Sequence, residues 1–197
     1  MTGWTGLSIG LFGGSFNPAH AGHRHVANAG LRELGLDQVW WLVSPQNPLK
    51  PAQPSADARA KTVHALNLPY AMRVSHIESL LQTRYTVELI RKLTRRDQTS
   101  RFVYMIGSDN LAQMPQWEDW QDLFRLIPIA VIARPGEATR SRMGRVARQF
   151  ARYRIPESES HTLKDRAPPA WTYLTLPLNP LSSSAIRATE AVDPTWF

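Results

Sequence analysis

The 197-residue chain has 43% hydrophobic and 20% charged residues and a net charge of +7, the composition of a globular protein large enough to bury a core. Cysteine is absent, which excludes disulfides and thiolate metal sites. No apolar run approaches the roughly 20 residues of a membrane helix, and the first residues lack the pattern of a secretory signal. We therefore expect a cytoplasmic protein with no membrane partner, folded as one domain over residues 1–197.

Much of the positive charge lies in a basic segment, residues 134–166, which begins RPGEATRSRMGRVARQFARYR. A solvated basic helix face is the simplest interpretation. Clustered arginines could also neutralise the phosphates of a nucleic acid, or provide a positive field that helps small anionic phosphates to bind elsewhere. We favour the solvated face and expect no nucleic-acid partner.

Short apolar runs rich in β-branched and aromatic residues predict strands. They cover residues 7–12, 38–43, 72–77, 101–106, 129–133 and 172–176. Helical spacing of apolar residues occurs over residues 23–36, 56–68 and 86–96. Alternating strands and helices predict an α/β fold, with an open, mostly parallel sheet and helices on both faces. Residues 135–170 are predicted to form a helix and a polar loop inserted before the last strand.

The most informative stretch is GLFGGSFNPAHAGH, residues 10–23. Gly13 and Gly14 directly follow the first predicted strand, and glycines there let the backbone approach a ligand closely. The following helix offers free N–H groups and a positive dipole end to phosphate. His20 and His23 are three residues apart and share a face near the helix start, where ring N–H groups could stabilise the charge that develops during phosphoryl transfer.

Each part of this stretch also has a simpler explanation. A Gly-Gly pair alone is typical of a tight turn, and a single histidine is usually structural. Two histidines could bind a metal ion, but no Asp, Glu or Cys accompanies them locally, so we expect no metal ligands on the protein. The stretch fits neither the G-x-G-x-x-G nor the Walker pattern. The combination after a strand is more specific than its parts.

The stretch resembles the G-G-[TS]-F-[DN]-P-x-H-x-G-H signature of the nucleotidyltransferase superfamily that is related to class I aminoacyl-tRNA synthetases. Near the other end of the chain, LSSSAIR, residues 181–187, resembles the I-S-S-T-x-[IV]-R segment of that superfamily. Its serines provide donors at a helix start, and Arg187 adds a planar cation. The resemblance implies a Rossmann-like nucleotidyltransferase domain in which the two segments form a triphosphate clamp.

Four further stretches resemble segments of bacterial nicotinate-nucleotide adenylyltransferases, so that the resemblance extends from about residue 7 to residue 187. They are PQNPLK (45–50), TRYTVELI (83–90), IGSDNLAQMPQWEDW (106–120) and IARPG (132–136). The resemblance implies that ATP and nicotinate mononucleotide are converted to deamido-NAD and pyrophosphate, a step of NAD biosynthesis. It also implies a Mg²⁺ ion bound mainly through the ATP phosphates, because Mg²⁺ often keeps its waters.

The same resemblance assigns the site residues. The catalytic residues would be His20, His23 and Arg187. ATP would contact these three together with Gly13, Gly14, Ser15, Phe16, Gly107, Asp109, Ser183 and Ser184. The acceptor nucleotide would contact Asn17, Lys50, Thr86, Trp117 and Arg134. Structural alternatives are a helix N-cap for Asp109, a core position beside Trp120 for Trp117 and a solvated side chain for Lys50.

The chain departs from the family pattern in several places. Asn17 and Glu88 stand where Asp is more usual, and Ser184 replaces Thr. The family usually continues beyond the serine-rich segment with a final helix, whereas this sequence ends at Phe197, so we expect that helix to be short or missing.

Two alternatives in function remain open at this point. Sister enzymes that use nicotinamide mononucleotide or phosphopantetheine as acceptor, and cytidylyltransferases, share the histidine and serine motifs. Only the regions around Thr86 and Trp117 separate them. The alternative of a different class is a non-catalytic basic protein that binds RNA or DNA through the basic segment.

Overall fold

The computed structural model describes residues 4–44, 52–133 and 142–175, together with Ser183, Ile186 and Arg187. Its strands are β1 (Ser8–Gly14), β2 (Gln38–Val43), β3 (Met72–Ser75), β4 (Arg101–Gly107), β5 (Ile129–Ile132) and β6 (Trp171–Leu174). Its α-helices are α1 (Ala21–Glu33), α2 (Ala56–His64), α3 (Ile77–Leu80), α4 (Thr86–Arg96), α5 (Ser108–Gln113), α6 (Trp120–Leu126) and α7 (Arg145–Gln149). Three 3₁₀-helices cover Met114–Gln116, Ala151–Tyr153 and Glu157–Asp165.

The strands form one parallel sheet in the order β3-β2-β1-β4-β5-β6. The chain runs outward from β1 to β3 and then returns to place β4 on the other side of β1. In such sheets the crevice between the two halves, beyond the carboxyl ends of the strands, is where ligands bind. Here that crevice lies at the ends of β1 and β4. The predicted α/β fold is confirmed.

Both faces of the sheet are covered, because β1 and β4 place large apolar side chains on each side. Leu11 belongs to one hydrophobic cluster with residues of α4, α5, α6 and α7, and Phe12 belongs to a second cluster with residues of α1 and α2. Near-continuous apolar strands are characteristic of a parallel sheet buried on both faces. Among the described residues, no helix combines the length and apolar character needed to cross a bilayer.

The amino-terminal end of β1 is tied to the start of β2 by one carboxylate. Asp37 accepts hydrogen bonds from the backbone N–H of Ser8 at 2.8 Å and from its hydroxyl at 2.6 Å. These bonds hold the pKa of the Asp37 carboxyl below its ordinary value. Asp37 therefore fastens β1 to β2 at the edge of the sheet opposite the crevice.

The structure differs from the predicted boundaries in three instructive places. The first helix begins at Ala21 rather than at residue 23, because His20 caps it. The third strand ends at Ser75, and Ile77 already begins a helical turn. Part of the segment predicted as a polar loop forms the 3₁₀-helix Glu157–Asp165, because Leu163 within it is fully buried and anchors it to the core.

Candidate active site

Gly13 and Gly14 are the last two residues of β1 rather than the start of the turn after it, and their backbone lies unusually close to neighbouring side chains. A Cβ atom on Gly13 would lie 2.5 Å from the Tyr104 hydroxyl, and one on Gly14 would lie 2.8 Å from the Phe16 ring. Phe16 has a φ of 46°, in the left-handed region, and its side chain is 1% exposed. Its ring packs against Phe12, so any contact between Phe16 and a nucleotide would come from its backbone.

The two histidines of the motif form the start of α1. His20 is the N-cap residue, and its Nδ1 accepts a hydrogen bond from the Gly22 N–H at 3.1 Å. The Nδ1 atom of His23 accepts the backbone N–H of His20 at 3.3 Å. A neutral imidazole that accepts at Nδ1 carries its proton on Nε2. Both buried rings therefore have Nε2–H as their donor, at the positive end of α1.

Two residues of the serine-rich segment, Ser183 and Arg187, contact the turn after β1. The Ser183 hydroxyl donates to the Pro18 carbonyl at 2.9 Å, across 165 residues of sequence. The Arg187 guanidinium donates to the carbonyl of Asn17. The two motifs thus meet on the residues that lead from β1 into α1, and Asn17 contributes to that meeting through its backbone.

The carboxyl end of β4 supplies the opposite wall of the crevice. Gly107 ends β4 and is the N-cap residue of α5. Asp109 lies in the first turn of α5 and is half-buried. The alternative of Asp109 as the helix N-cap is therefore wrong, since Gly107 occupies that position.

Thr86 begins α4, and its side chain lies beside that of the buried Tyr104. Burial raises the pKa of Tyr104, so this phenol stays neutral. Glu88, where the family pattern has Asp, reaches back to the N-terminus of α4 and accepts the backbone N–H of Arg84 at 3.1 Å. The longer acid thus fastens the residues that precede Thr86.

Trp117 follows the 3₁₀-helix Met114–Gln116 and donates its backbone N–H to the Met114 carbonyl at 2.9 Å. Its side chain is half-buried and touches the core from the outside, whereas Trp120 is 8% exposed and belongs to the core. Arg91 on α4 forms an ion pair with Asp122 at 2.5 Å, which ties the Trp117 region to the helix that carries Thr86.

Three of the residues assigned by resemblance, Lys50, Arg134 and Ser184, lie outside the described residues. Ser15 is inside them, and its carbonyl accepts a hydrogen bond from Arg59 at 2.6 Å. In the basic segment, Arg145 lies over the ring of Trp120 and Arg154 over that of Trp171. These stacked arginines are exposed and cover aromatic side chains of the α5–α7 side.

No sequence motif indicates the buried polar residues behind the site, Arg59, Glu78 and Tyr104, which interact electrostatically. Arg59 interrupts an apolar helix face beside Ala60 and Val63, which is a weak signal. Glu78 is largely buried, and its Oε2 accepts no hydrogen bond from the described residues. Burial raises the pKa of Glu78 to about 7, although the positive charge of Arg59 opposes this shift.

We expect Gly13→Ala to destabilise the protein by about 1 to 3 kcal/mol. The new methyl group would displace the buried Tyr104 hydroxyl, because the two would lie only 2.5 Å apart. Denaturant unfolding of Gly13→Ala, Tyr104→Phe and the double variant checks the mechanism. The double variant should be more stable than the sum of the single effects predicts, since Phe lacks the colliding oxygen. Strict additivity would contradict the contact.

Glu78 should also make stability depend on pH. The folded protein keeps this group protonated up to pH 7, whereas an unfolded glutamic acid ionises near 4.5. The folded state therefore binds more protons between these values, and stability falls as the pH rises through that window. Glu78→Gln should remove this fall and be more stable than wild type at pH 8, by up to about 3 kcal/mol.

The measurement is urea unfolding from pH 5 to 8. The exposed acid Glu159, which pairs with Arg166, provides the control variant Glu159→Gln, whose pH profile should parallel that of wild type. If the stability of Glu78→Gln instead changes with pH in the same way as that of wild type, Glu78 does not titrate in this range.

Comparison with known proteins agrees with this geometry. The model of the cytidylyltransferase-like family matches residues 11–189. A Cereibacter sphaeroides protein named probable nicotinate-nucleotide adenylyltransferase is 47% identical over 185 residues, which cover 93% of this chain and 98% of that protein. A Ruegeria protein of the same name is 41% identical over 182 residues, covering 92% and 96%.

Solved structures share the fold at low sequence identity. The Plasmodium falciparum nicotinic acid mononucleotide adenylyltransferase complexed with NaAD superposes with a TM-score of 0.69 at 18% identity, covering 92% of this chain and 83% of that one. Its fold is that of the sheet described above. The length and level of the sequence matches establish kinship as well: the chain belongs to the nicotinate-nucleotide adenylyltransferase family, within the cytidylyltransferase-like proteins.

Proposed function

We propose that the chain transfers the adenylyl group of ATP to the phosphate of nicotinate mononucleotide and forms deamido-NAD and pyrophosphate. The observation that carries this proposal is the meeting of Ser183 and Arg187 with the turn that leads to His20 and His23. The names of the relatives, at 41% and 47% identity, support the same reaction. So does the solved neighbour complexed with NaAD.

The reaction requires little covalent chemistry from the protein. An oxygen of the mononucleotide phosphate attacks the α-phosphorus of ATP, a new P–O bond forms, and the bond to the β-phosphate bridge oxygen breaks to release pyrophosphate. A phosphate dianion is already a nucleophile, so no side-chain base is needed. The protein must bring two polyanions together and stabilise charge on the oxygens around the α-phosphorus.

The turn after β1 and the start of α1 are suited to that task. The Nε2–H groups of His20 and His23 would donate to phosphate oxygens, with the positive end of α1 beside them. We assign the backbone of Gly13–Phe16 to the triphosphate, together with Ser183, Ser184 and Arg187. Gly107 and Asp109 would contact the nucleoside of ATP from the β4 side.

The acceptor would lie toward α4 and the Trp117 region. We assign recognition of the nicotinate carboxylate to Thr86 and the N–H groups at the start of α4, where the helix dipole favours an anion. Trp117 would stack on the pyridine ring. Asn17, Lys50 and Arg134 complete the acceptor contacts in this proposal.

Mg²⁺ would accompany ATP. The described residues contain no group of three His, Cys, Asp or Glu side chains close enough to hold a metal ion. This donor set fits an ion that binds through phosphates and waters, with Asp109 the carboxylate at the crevice. When bound, Mg²⁺ would neutralise phosphate charge.

We further propose that residues 1–197 act as one nucleotidyltransferase domain, in which residues 135–170 are an insertion, and that it serves NAD biosynthesis in the cytoplasm.

Isotope labelling tests the bond that breaks. With ATP labelled at the α-phosphate and with nicotinate mononucleotide, we expect the label in the dinucleotide. With label at the γ-phosphate, we expect it in pyrophosphate. Transfer of the γ-label to the mononucleotide would identify a kinase and overturn the proposal.

A further inference from the structure

Arg59 is a buried cation directly behind the proposed phosphate site. It lies on the inner face of α2, and only 1% of it is exposed. A buried charge is costly unless it is paired and hydrogen-bonded. The contacts of Arg59 show how its charge is compensated and which parts of the chain it holds in place.

The Arg59 guanidinium joins three backbone carbonyls from three separate segments. Its Nη1 donates to Ser15 at 2.6 Å, its Nη2 to Ser44 at 2.6 Å and its Nε to Pro54 at 2.9 Å. These donors form a rigid planar fork. The Glu78 carboxyl interacts with the same cation electrostatically.

Two of these carbonyls lie at the carboxyl ends of adjacent strands. Ser15 lies in the turn after β1, and Ser44 follows β2. The Arg59 guanidinium thus fixes the distance between the Ser15 and Ser44 carbonyls. Because C=O and N–H point in opposite directions across a trans peptide, holding the Ser15 carbonyl also directs the Phe16 N–H away from α2.

The same helix fastens the second half of the β1 turn. The Thr62 hydroxyl accepts the backbone N–H of Ala19 at 2.9 Å and donates to the Arg59 carbonyl at 2.6 Å. Ala19 immediately precedes His20. Both ends of the segment from Ser15 to the catalytic histidine are therefore fastened to α2.

We propose that Arg59 is a positioning residue that holds the turn after β1 at the distance from Ser44, at the end of β2, that adenylyl transfer requires. This role rests on the proposed function, in which the first turn binds the triphosphate and the segment after Ser44 leads to the acceptor contact Lys50. Arg59 acts through Ser15 and Ser44 and touches neither substrate.

Steady-state kinetics of Arg59→Lys provide the first test. Lysine keeps the charge but cannot span three carbonyls. A displacement of about 1 Å between reacting groups costs on the order of 100-fold in rate, so we expect kcat to fall by about 30- to 100-fold. The KM values for ATP and mononucleotide should change little. Arg101→Lys, at the amino-terminal end of β4 and paired with Asp165, is the matched control with wild-type kcat.

Chemical rescue separates positioning from folding. Guanidinium ion should raise the kcat of Arg59→Ala and leave that of wild type unchanged. A merely structural role would lower the melting temperature without lowering the kcat of the folded enzyme. Wild-type kcat in folded Arg59→Lys overturns the proposal. If neither variant folds, Thr62→Val provides the test, since it removes the acceptor of the Ala19 N–H and should lower kcat by about threefold or more. An unchanged kcat would overturn the proposal that contacts from α2 position the turn after β1.

Hydrogen exchange provides a readout that needs no activity. In Arg59→Lys, peptides covering residues 13–20 should exchange faster, while α4 should exchange as in wild type. Unchanged exchange at residues 13–20 overturns the proposal. If wild type transfers adenylyl to no acceptor, the proposed function fails, whereas the exchange result still decides whether Arg59 fastens the turn.

Discussion

Replacement of His20 by asparagine should lower kcat by about 100- to 1,000-fold without unfolding the protein. Asparagine is a good N-cap, and its side-chain oxygen can replace Nδ1 as the acceptor of the Gly22 N–H. It lacks the Nε2–H donor that we assign to the transition state. The measurement is steady-state kinetics with both substrates, together with the melting temperature.

Two variants control this result. His20→Ala removes the cap as well as the donor, so it should show the same loss of kcat and an additional loss of about 1 kcal/mol in stability. His64→Asn changes an exposed histidine at the end of α2 and should leave kcat unchanged. Wild-type kcat in His20→Asn would remove His20 from the chemistry, as would a loss confined to the KM for ATP.

Trp117→Ala should raise the KM for nicotinate mononucleotide by about 10- to 100-fold, because stacking of a base on an aromatic ring contributes about 1 to 3 kcal/mol. The KM for ATP should stay within about twofold of wild type, since we assign ATP to the β1 and β4 turns. Trp117→Phe keeps a stacking surface and should recover much of the affinity.

Trp120→Phe is the matched control, because Trp120 is a core residue that packs against Phe150. It should lower stability and leave both KM values unchanged. If Trp117→Ala instead lowers the melting temperature and raises both KM values equally, the side chain is part of the core and not of the acceptor site.

The fold could be predicted because the relevant signals are local. Strands buried on both faces appear as uninterrupted apolar runs, such as β2 and β4, and α4 carries its apolar residues at helical spacing. The predicted helix and loop boundaries were wrong where one side chain overrides that pattern. His20 starts α1 early by capping it, and Leu163 anchors a 3₁₀-helix in a segment that is polar by composition.

The candidate site could be predicted only in part. The resemblance identifies the motif residues but not the residues that hold them in position. The contact of Ser183 with Pro18 agrees with the resemblance, which implies that the two motif segments come together. The hydrogen bond from Arg59 to Ser15 spans 44 residues and has no motif of its own. A single arginine among apolar residues of a helix does not indicate which carbonyls it will reach, since that depends on the assembled sheet.

Adenylyl transfer to nicotinate mononucleotide is tested by measuring pyrophosphate release from Mg-ATP with three acceptors in parallel. These are nicotinate mononucleotide, nicotinamide mononucleotide and phosphopantetheine. We expect the highest kcat/KM with nicotinate mononucleotide and loss of that activity in His20→Asn. A higher kcat/KM with either other acceptor would contradict the assignment of Thr86 and Trp117 to nicotinate. No release with any acceptor, from folded protein, would contradict the reaction itself.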